Sequence, residues 1–294
     1  MSIVKRLYEA NLLTDSPKWL TSNVMFEGMV GSFSYGVSND MSDIDVVGFC
    51  IPPKEIVFPH LAGEIIGFGN QIQRFDQYQK HHIDHRDKKY DISIYSIVKF
   101  FQLTMENNPN MLDTLFIPRR CVLHSTSVYE HVRENKELFL HKGCWQKFRG
   151  YSFSQLSKIK KKSNSSNPKR KEAIETFGYD VKFAYHLIRL LLEVEQILIE
   201  QTLDIERNSN ILKTVRNGEW SFDEILQWFS NKEKSLEIIY ANSKLRDKPE
   251  ESKIKKLLLE CLEIHYGDLS SIVKVQKDTS QLIQELEYLI EKYK

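Results

Sequence analysis

The 294-residue sequence has little that would hold together a secreted domain or anchor a chain in a bilayer. Its four cysteines, Cys50, Cys121, Cys144 and Cys261, are widely scattered and make no C-x-x-C pair. That spacing argues against a disulfide framework and a zinc site, and reads as reduced core thiols. No run of about 18 apolar residues occurs, so no membrane-spanning helix is expected. Met1-Ser2-Ile3-Val4-Lys5 leads into no apolar h-region, and the expectation is a cytoplasmic protein. Internal repeats and extended low-complexity stretches are also missing.

Net charge is small as well, 41 Lys and Arg against 40 Asp and Glu for +1, but it is unevenly spread. Residues 138–171 carry ten Lys or Arg and no acid, whereas 20 acids face 15 bases from Glu193 onward, a local charge of −5. The basic segment is interleaved with Phe139, Trp145, Phe148, Tyr151 and Phe153. Cations beside aromatic rings suit phosphates and stacked bases. The plainer alternative is a solvated helix with a Lys-rich end at Lys160, Lys161 and Lys162. Arg149, next to Gly150-Tyr151, is the better candidate for a fixed phosphate contact. With 41% hydrophobic and 28% charged residues, the composition is that of an ordinary globular protein large enough for two domains.

The densest chemistry lies in Gly31-Ser32-Phe33-Ser34-Tyr35-Gly36 and Ser42-Asp43-Ile44-Asp45-Val46-Val47-Gly48. Asp43 and Asp45 alternate with Ile44 and run into Val46-Val47-Gly48-Phe49-Cys50-Ile51, which reads as a β-strand. Residues i and i+2 of a strand share a face, so the two carboxylates stand together. They repel unless a cation lies between them, and oxygen ligands of this kind are what Mg²⁺ selects. Upstream, Val24-Met25-Phe26 and Met29-Val30 form a strand that enters the Gly31-Ser32 turn. A helical turn from there would aim free N–H groups at an anion.

These residues resemble the nucleotidyltransferase signature of the DNA polymerase beta superfamily, Gly-Ser followed by Asp-x-Asp. The longer form G-S-x-x-Y-G-x-x-x-x-x-S-D-x-D-x-x-G is similar to the subgroup associated with RNA repair. Gly31, Ser32, Tyr35, Gly36, Ser42, Asp43, Asp45 and Gly48 meet its fixed positions. The resemblance implies a third carboxylate on a later strand. Asp91 in Lys88-Lys89-Tyr90-Asp91-Ile92-Ser93-Ile94-Tyr95 is the candidate, the alternative being a strand-end acid paired with Lys88 or Lys89. The following Asn108-Pro109-Asn110 and Leu115-Phe116 also resemble that subgroup. The implied fold class is α+β, a polymerase-beta-like domain with a mixed sheet flanked by helices over 1–120, followed by a mainly helical domain over 121–294.

Strands are expected near 24–30, 44–51, 64–79 and 90–95. Helices are expected over 125–140, 144–162, 170–201, 221–240, 250–266 and 277–293. Around 176–200, Ala184, Leu187, Ile188, Leu191 and Leu198 trace an apolar stripe, while Lys182, His186 and Arg189 align at i, i+4 and i+7. Three potential cations on one face would take a triphosphate or an RNA backbone, unless Arg189 is paired with Glu193. Gly178 to Leu191 and Val215 to Trp220 also resemble the second domain of the subgroup. His81-His82-Ile83-Asp84-His85 lacks the further ligands of a zinc site and reads as an exposed ribbon or loop.

The expected activity is transfer of a nucleoside monophosphate from a nucleoside triphosphate to a hydroxyl, foremost an RNA 3′ end. Asp43, Asp45 and Asp91 would hold Mg²⁺, with Mn²⁺ as the alternative, in a two-metal displacement. Gly31, Ser32, Tyr35, Ser42, Arg149, Lys158, Lys182, His186 and Arg189 are the candidate nucleotide-binding residues. The second reading is nucleotidylation of a protein or small-molecule hydroxyl. A non-catalytic binding protein is disfavoured because both acids of the Asp-x-Asp pair are present along with a third. The expected partners are a nucleoside triphosphate and RNA, with no membrane.

Overall fold

The computed structural model describes residues 2–38, 43–65, 67–71, 74–161 and 168–267. Ser42 and the helix expected over 277–293 lie outside the described residues. In chain order, α1 (Ile3–Glu9) and α2 (Leu20–Asn23) precede β1 (Val24–Met29) and β2 (Ile44–Cys50). There follow α3 (Lys54–Val57), β3 (Gln77–His85), β4 (Lys88–Ser96), α4 (Ile97–Met105), α5 (Pro109–Leu115), β5 (Val122–Ser125) and α6 (Ser127–Glu134). The rest is helical: α7 (Cys144–Lys160), α8 (Pro168–Phe177), α9 (Val181–Glu200), α10 (Ser209–Arg216), α11 (Phe222–Asn242) and α12 (Glu251–Tyr266). The fold class is α+β, as expected. No described helix is long and apolar enough to cross a membrane.

The sheet order is β3-β4-β2-β1-β5, with β2 and β4 parallel and the other neighbours antiparallel. Alternation along the central strands sends side chains into two separate cores. Val46, Cys50, Ile92 and Ile94 pack with Val4, Leu7 and Leu13 on one face. Phe26, Phe49 and Ile51 pack on the other face in a cluster that continues without a break from Met25 to Leu262. All four cysteines are free and buried, and burial pushes the Cys144 and Cys261 thiols up to about 12, as inert core groups behave.

One buried carboxylate secures the first core. Glu27 of β1 is 0% exposed, accepts from the Ser2 hydroxyl at 2.8 Å, and accepts from the Ile3 and Val4 N–H groups at 2.6 and 2.9 Å. The first N–H groups of a helix have no partner within it, so Glu27 satisfies α1 and fastens it to the sheet. Beside it, a bulge between Val24 and Phe26 pushes the Phe26 carbonyl against β2. A Cβ on Gly48 would stand 2.0 Å from that oxygen, so the last glycine of the motif serves strand packing.

A second buried network joins the sheet end to the helices. The Tyr35 hydroxyl, in the turn after β1, donates to Asp113 Oδ2 of α5 at 2.6 Å. Arg189 of α9 donates to the same Asp113 oxygen and to both Glu193 oxygens at 3.0 Å, and its guanidinium lies 4.4 Å from the Tyr35 ring centre. Arg189 is 4% exposed. The cation expected to face a triphosphate is thus consumed inside the core, where it pairs with Glu193 and, beyond the sequence reading, with Asp113. One guanidinium faces two carboxyls here. Burial, then Asp113, holds the Glu193 carboxyl well above the usual range against the pull of Arg189. Burial raises the Asp113 carboxyl as well, against the pull of the same guanidinium.

Other differences have local causes. The strand expected from 64 begins only at Gln77, since Ile65 and Phe68 make just an isolated bridge. The helix expected over 170–201 breaks at Gly178, which takes φ 79°, and restarts at Asp180, whose carboxylate accepts from the Lys182 and Phe183 N–H groups. Strand β5, helix α1 and helix α10 were not anticipated.

Two outcomes follow for stability. Gly48→Ala should lower the urea unfolding free energy by about 1–3 kcal/mol, the usual cost of overpacking, through the clash with the Phe26 carbonyl. Arg189→Met should cost about 3–5 kcal/mol by leaving a buried charge unpaired. Glu193 binds its proton more tightly folded than unfolded, so its contribution is complete below the ordinary glutamate pKa and is lost as pH rises through the raised value. Glu193→Gln mimics the protonated acid. Its melting temperature should therefore fall less than that of the wild type between mildly acidic and alkaline pH, as read by calorimetry at each pH.

Candidate active site

The turn after β1 and the carboxylates of β2 are built against each other. The Val30 N–H donates to the Asp45 carbonyl at 2.9 Å, which carries the strand pairing up to the turn. Gly31 then takes φ 72°, and a Cβ there would stand 2.8 Å from Asp45 Oδ2. Glycine is required twice at this position, for the left-handed backbone and for the room it leaves a carboxylate. The Gly31 carbonyl accepts from the Ser34 N–H and hydroxyl at 3.1 and 2.9 Å, and the Ser32 carbonyl from the Val37 N–H at 2.9 Å. The result is a closed single turn at the end of β1.

Parallel pairing of β2 with β4 sets Asp45 directly beside Asp91. Asp43, at the entry to β2, is exposed, while Asp45 and Asp91 are half-buried. Burial, reinforced by Asp91 and Asp43, holds the Asp45 carboxyl above its usual range, with Lys182 and His81 pulling the other way. Asp91 accepts from the His82 N–H at 2.7 Å and lies 3.5 Å from His81 Nδ1. Of the histidines read as an exposed ribbon, all on strand β3, His81 and His82 are exposed and lie beside Asp91, whereas His85 is half-buried.

Helix α9 supplies the opposing charge. Lys182 is exposed in its first turn, and its field reaches Asp45. His186 is driven well below the usual histidine range by burial first, then by Arg189, Lys182, Arg216 and Arg170. It is a neutral imidazole in a positive field. Arg170 and Lys158 flank the Phe183 ring at 4.7 and 5.3 Å. Arg216 donates to the Val37 carbonyl at 2.5 Å and lies 5.7 Å from the Tyr185 ring, tying α10 to the end of the turn. Tyr185 in turn feels the Asp45 charge.

The sequence candidates therefore separate. Gly31, Ser32, Asp43, Asp45, Asp91, Lys182 and His186 gather at one end of the sheet, with Lys158 beside Phe183. Tyr35 and Arg189 are structural and buried. Arg149 is also spent elsewhere, paired with Glu233 at 2.6 Å and Glu237 at 3.4 Å of α11 and set against Trp145 and Phe153. Arg170, Arg216 and Tyr185 were missed. The first stood within the basic segment and the other two within strings already quoted for the resemblance, where neither was singled out.

The donor chemistry fits a divalent cation. Asp45 stands in register with Asp91 and against Gly31, with Asp43 two residues before it, and burial first, then Asp91 and Asp43, raises the proton affinity of Asp45. Among the described residues, no group of three or more His, Cys, Asp or Glu side chains could by itself hold a metal ion. Mg²⁺ does not require one, because it keeps several waters and is held by one or two carboxylates together with substrate phosphates.

No curated protein matches the chain. A solved nucleotidyltransferase-like protein from Exiguobacterium sibiricum 255-15 is similar at 10% identity, over 98% of this chain and 90% of that one. Its TM-score of 0.29 is too low for the likeness to carry an argument. The model of the family described as RlaP, the RNA repair pathway DNA polymerase beta family, matches residues 9–255, most of the chain, and with its carboxylate pair and glycine turn the chain belongs to that family.

Proposed function

We propose that this chain is a divalent-cation-dependent nucleotidyltransferase that joins a nucleoside monophosphate to an RNA 3′ hydroxyl. The observation that carries the reading is the in-register pair Asp45 and Asp91 beside the Gly31 turn, with a cationic helix opposite. Acidic and basic walls suit a cation-bound triphosphate lying between them.

Asp43, Asp45 and Asp91 would hold the cation, Mg²⁺ first. Bound there, it would make the acceptor hydroxyl more acidic and offset charge on the departing pyrophosphate. The turn at Gly31 would lie against the phosphates, and a Cβ at residue 31 would obstruct the Asp45 carboxylate. Lys182, with Arg170 and Arg216 around His186, would offset the negative charge that the leaving group gains. His186, held neutral, adds no charge of its own and shapes the wall between these cations. In the reaction the acceptor oxygen bonds to the α-phosphorus as the bond to the pyrophosphate oxygen breaks, and the hydroxyl proton passes to solvent. RNA as acceptor rests on the family; in the basic segment Phe139, Trp145 and Phe148 are buried in the core, which leaves its exposed lysines with Tyr151 and Phe153 as the surface toward a nucleic acid.

Incubation with each α-labelled nucleoside triphosphate, Mg²⁺ and a pool of small RNAs should place label on RNA. Asp45→Asn should reduce that transfer at least about 10²-fold, the scale on which preorganised active-site charge acts, with unchanged circular dichroism. Label on protein instead would move the acceptor to a protein hydroxyl, and full turnover by a folded Asp43→Asn, Asp45→Asn double variant would overturn the site.

A further inference from the structure

Between α10 and α11 lies an open cleft of about 460 Å³, none of whose lining residues belongs to the transfer site. Two half-buried indoles and two exposed acids face it, Trp220 and Trp228 with Glu219 and Glu224. The ring centres stand 6.2 Å apart with their planes at 70°, so the indoles make two walls of a corner. Local structure holds each wall in place. Gly218 takes φ 74° just after α10, and a Cβ there would run into the Phe177 ring. The Trp220 carbonyl accepts from the Tyr179 hydroxyl at 2.7 Å. Ser221 caps α11, and its N–H and hydroxyl donate to Glu224 at 2.7 and 2.8 Å. A cleft fixed in this way costs little further ordering when it is filled.

Helix α11 shows on its opposite flank what this combination of groups holds. Glu233 follows Glu224 by about two and a half turns, so the two face away from each other. Glu233 and Glu237 pair with Arg149 at 2.6 and 3.4 Å, and its guanidinium lies 5.6 and 5.7 Å from the Trp145 and Phe153 ring centres. Two acids and two rings there take one arginine from within the chain. The cleft repeats that composition, and among the described residues its lining holds no Lys or Arg. Lys232, 5.8 Å from the Trp228 ring centre, is held by Glu195 of α9 at 2.5 Å. Paired carboxylates repel phosphate, so the cleft disfavours a nucleic acid and favours a cation. A flat guanidinium can lie on an indole face and offer its fork to a carboxylate, which an ammonium cannot do. We propose that the cleft receives an arginine side chain presented by a partner polypeptide, a docking contact separate from nucleotide transfer. The acidic balance from Glu193 onward, 20 acids against 15 bases, draws a basic partner to this half of the chain.

The test is nuclear magnetic resonance titration of the full chain, with nitrogen-labelled tryptophan, against a capped glycine-arginine-glycine peptide at low salt. The indole N–H signals of Trp220 and Trp228, assigned through Trp220→Phe and Trp228→Phe, should move along one binding curve. Those of Trp19 and Trp145 should stay in place. Glu219→Gln, at an exposed position, should keep its circular dichroism and bind the peptide about two- to fivefold more weakly, the scale of an exposed ion pair. Asp223→Asn, an exposed acid outside the cleft, should leave the affinity unchanged. A peptide with lysine in place of arginine should bind less tightly, and one with citrulline, flat but uncharged, should leave the signals unmoved at the same concentration. No shift with the arginine peptide, an equal response to citrulline, or full affinity in Glu219→Gln overturns the proposal. So does a response of these indoles to a short single-stranded RNA without one to the peptide. The same shifts on concentrating the protein alone would make the occupant a second copy of this chain and overturn the assignment to a partner.

Discussion

The Arg189 guanidinium, buried among Asp113, Glu193 and the Tyr35 ring, is the contact on which the rest of the geometry depends. It joins three pieces of chain distant in sequence: the turn after β1, helix α5 and helix α9. Burying charge costs several kcal/mol per ion, so such a set is retained less for raw stability than for the arrangement it imposes. Any other docking of α9 would leave the guanidinium or the carboxyls without partners in a dry interior. Because Tyr35 belongs to the turn that carries Gly31 and Ser32, fixing α9 also fixes the distance between that turn and the cations of the helix.

The opposed charges of the site come from opposite sides of that contact. The sheet contributes Asp43, Asp45 and Asp91, brought together by the parallel pairing of β2 with β4. The helices contribute Lys182, Arg170 and Arg216, which after burial and Arg189 help hold the His186 imidazole well below the usual histidine range. Each wall alone is a concentration of like charge. Together they bring opposite charge within reach of Asp45, whose half-burial strengthens every interaction there relative to water. Tertiary packing brings together walls whose residues stand 79 or more positions apart in sequence.

Local rules account for how much of this was legible. The Asp-x-Asp strand, the glycine turn and the helical second half follow from alternation, turn chemistry and helical period, all readable in short windows. Gly48 and Gly31 stood out as fixed positions of the motif, but their reasons, the Phe26 carbonyl and the Asp45 carboxylate, are contacts across strands. The stripe of Lys182, His186 and Arg189 was geometrically sound, since all three lie on α9. It misjudged which end of the stripe meets solvent, and seven residues carry the helix from an exposed Lys182 to an Arg189 inside the core. Arg149 failed for a related reason: its partners Glu233 and Glu237 lie on α11, more than eighty residues away.

The sequence by itself determined the family, the α+β class, the strand that carries Asp43 and Asp45, and the glycine turn before it. Each of these is encoded by neighbours within about one element's length, where side-chain period and backbone freedom decide the outcome. Only the tertiary structure decided which cations remain available for a ligand and which are neutralised in the core. The same holds for His81, whose place beside Asp91 follows from a one-residue slip in strand register. Charge availability depends on burial and on partners brought in by packing, and a linear pattern holds no record of either.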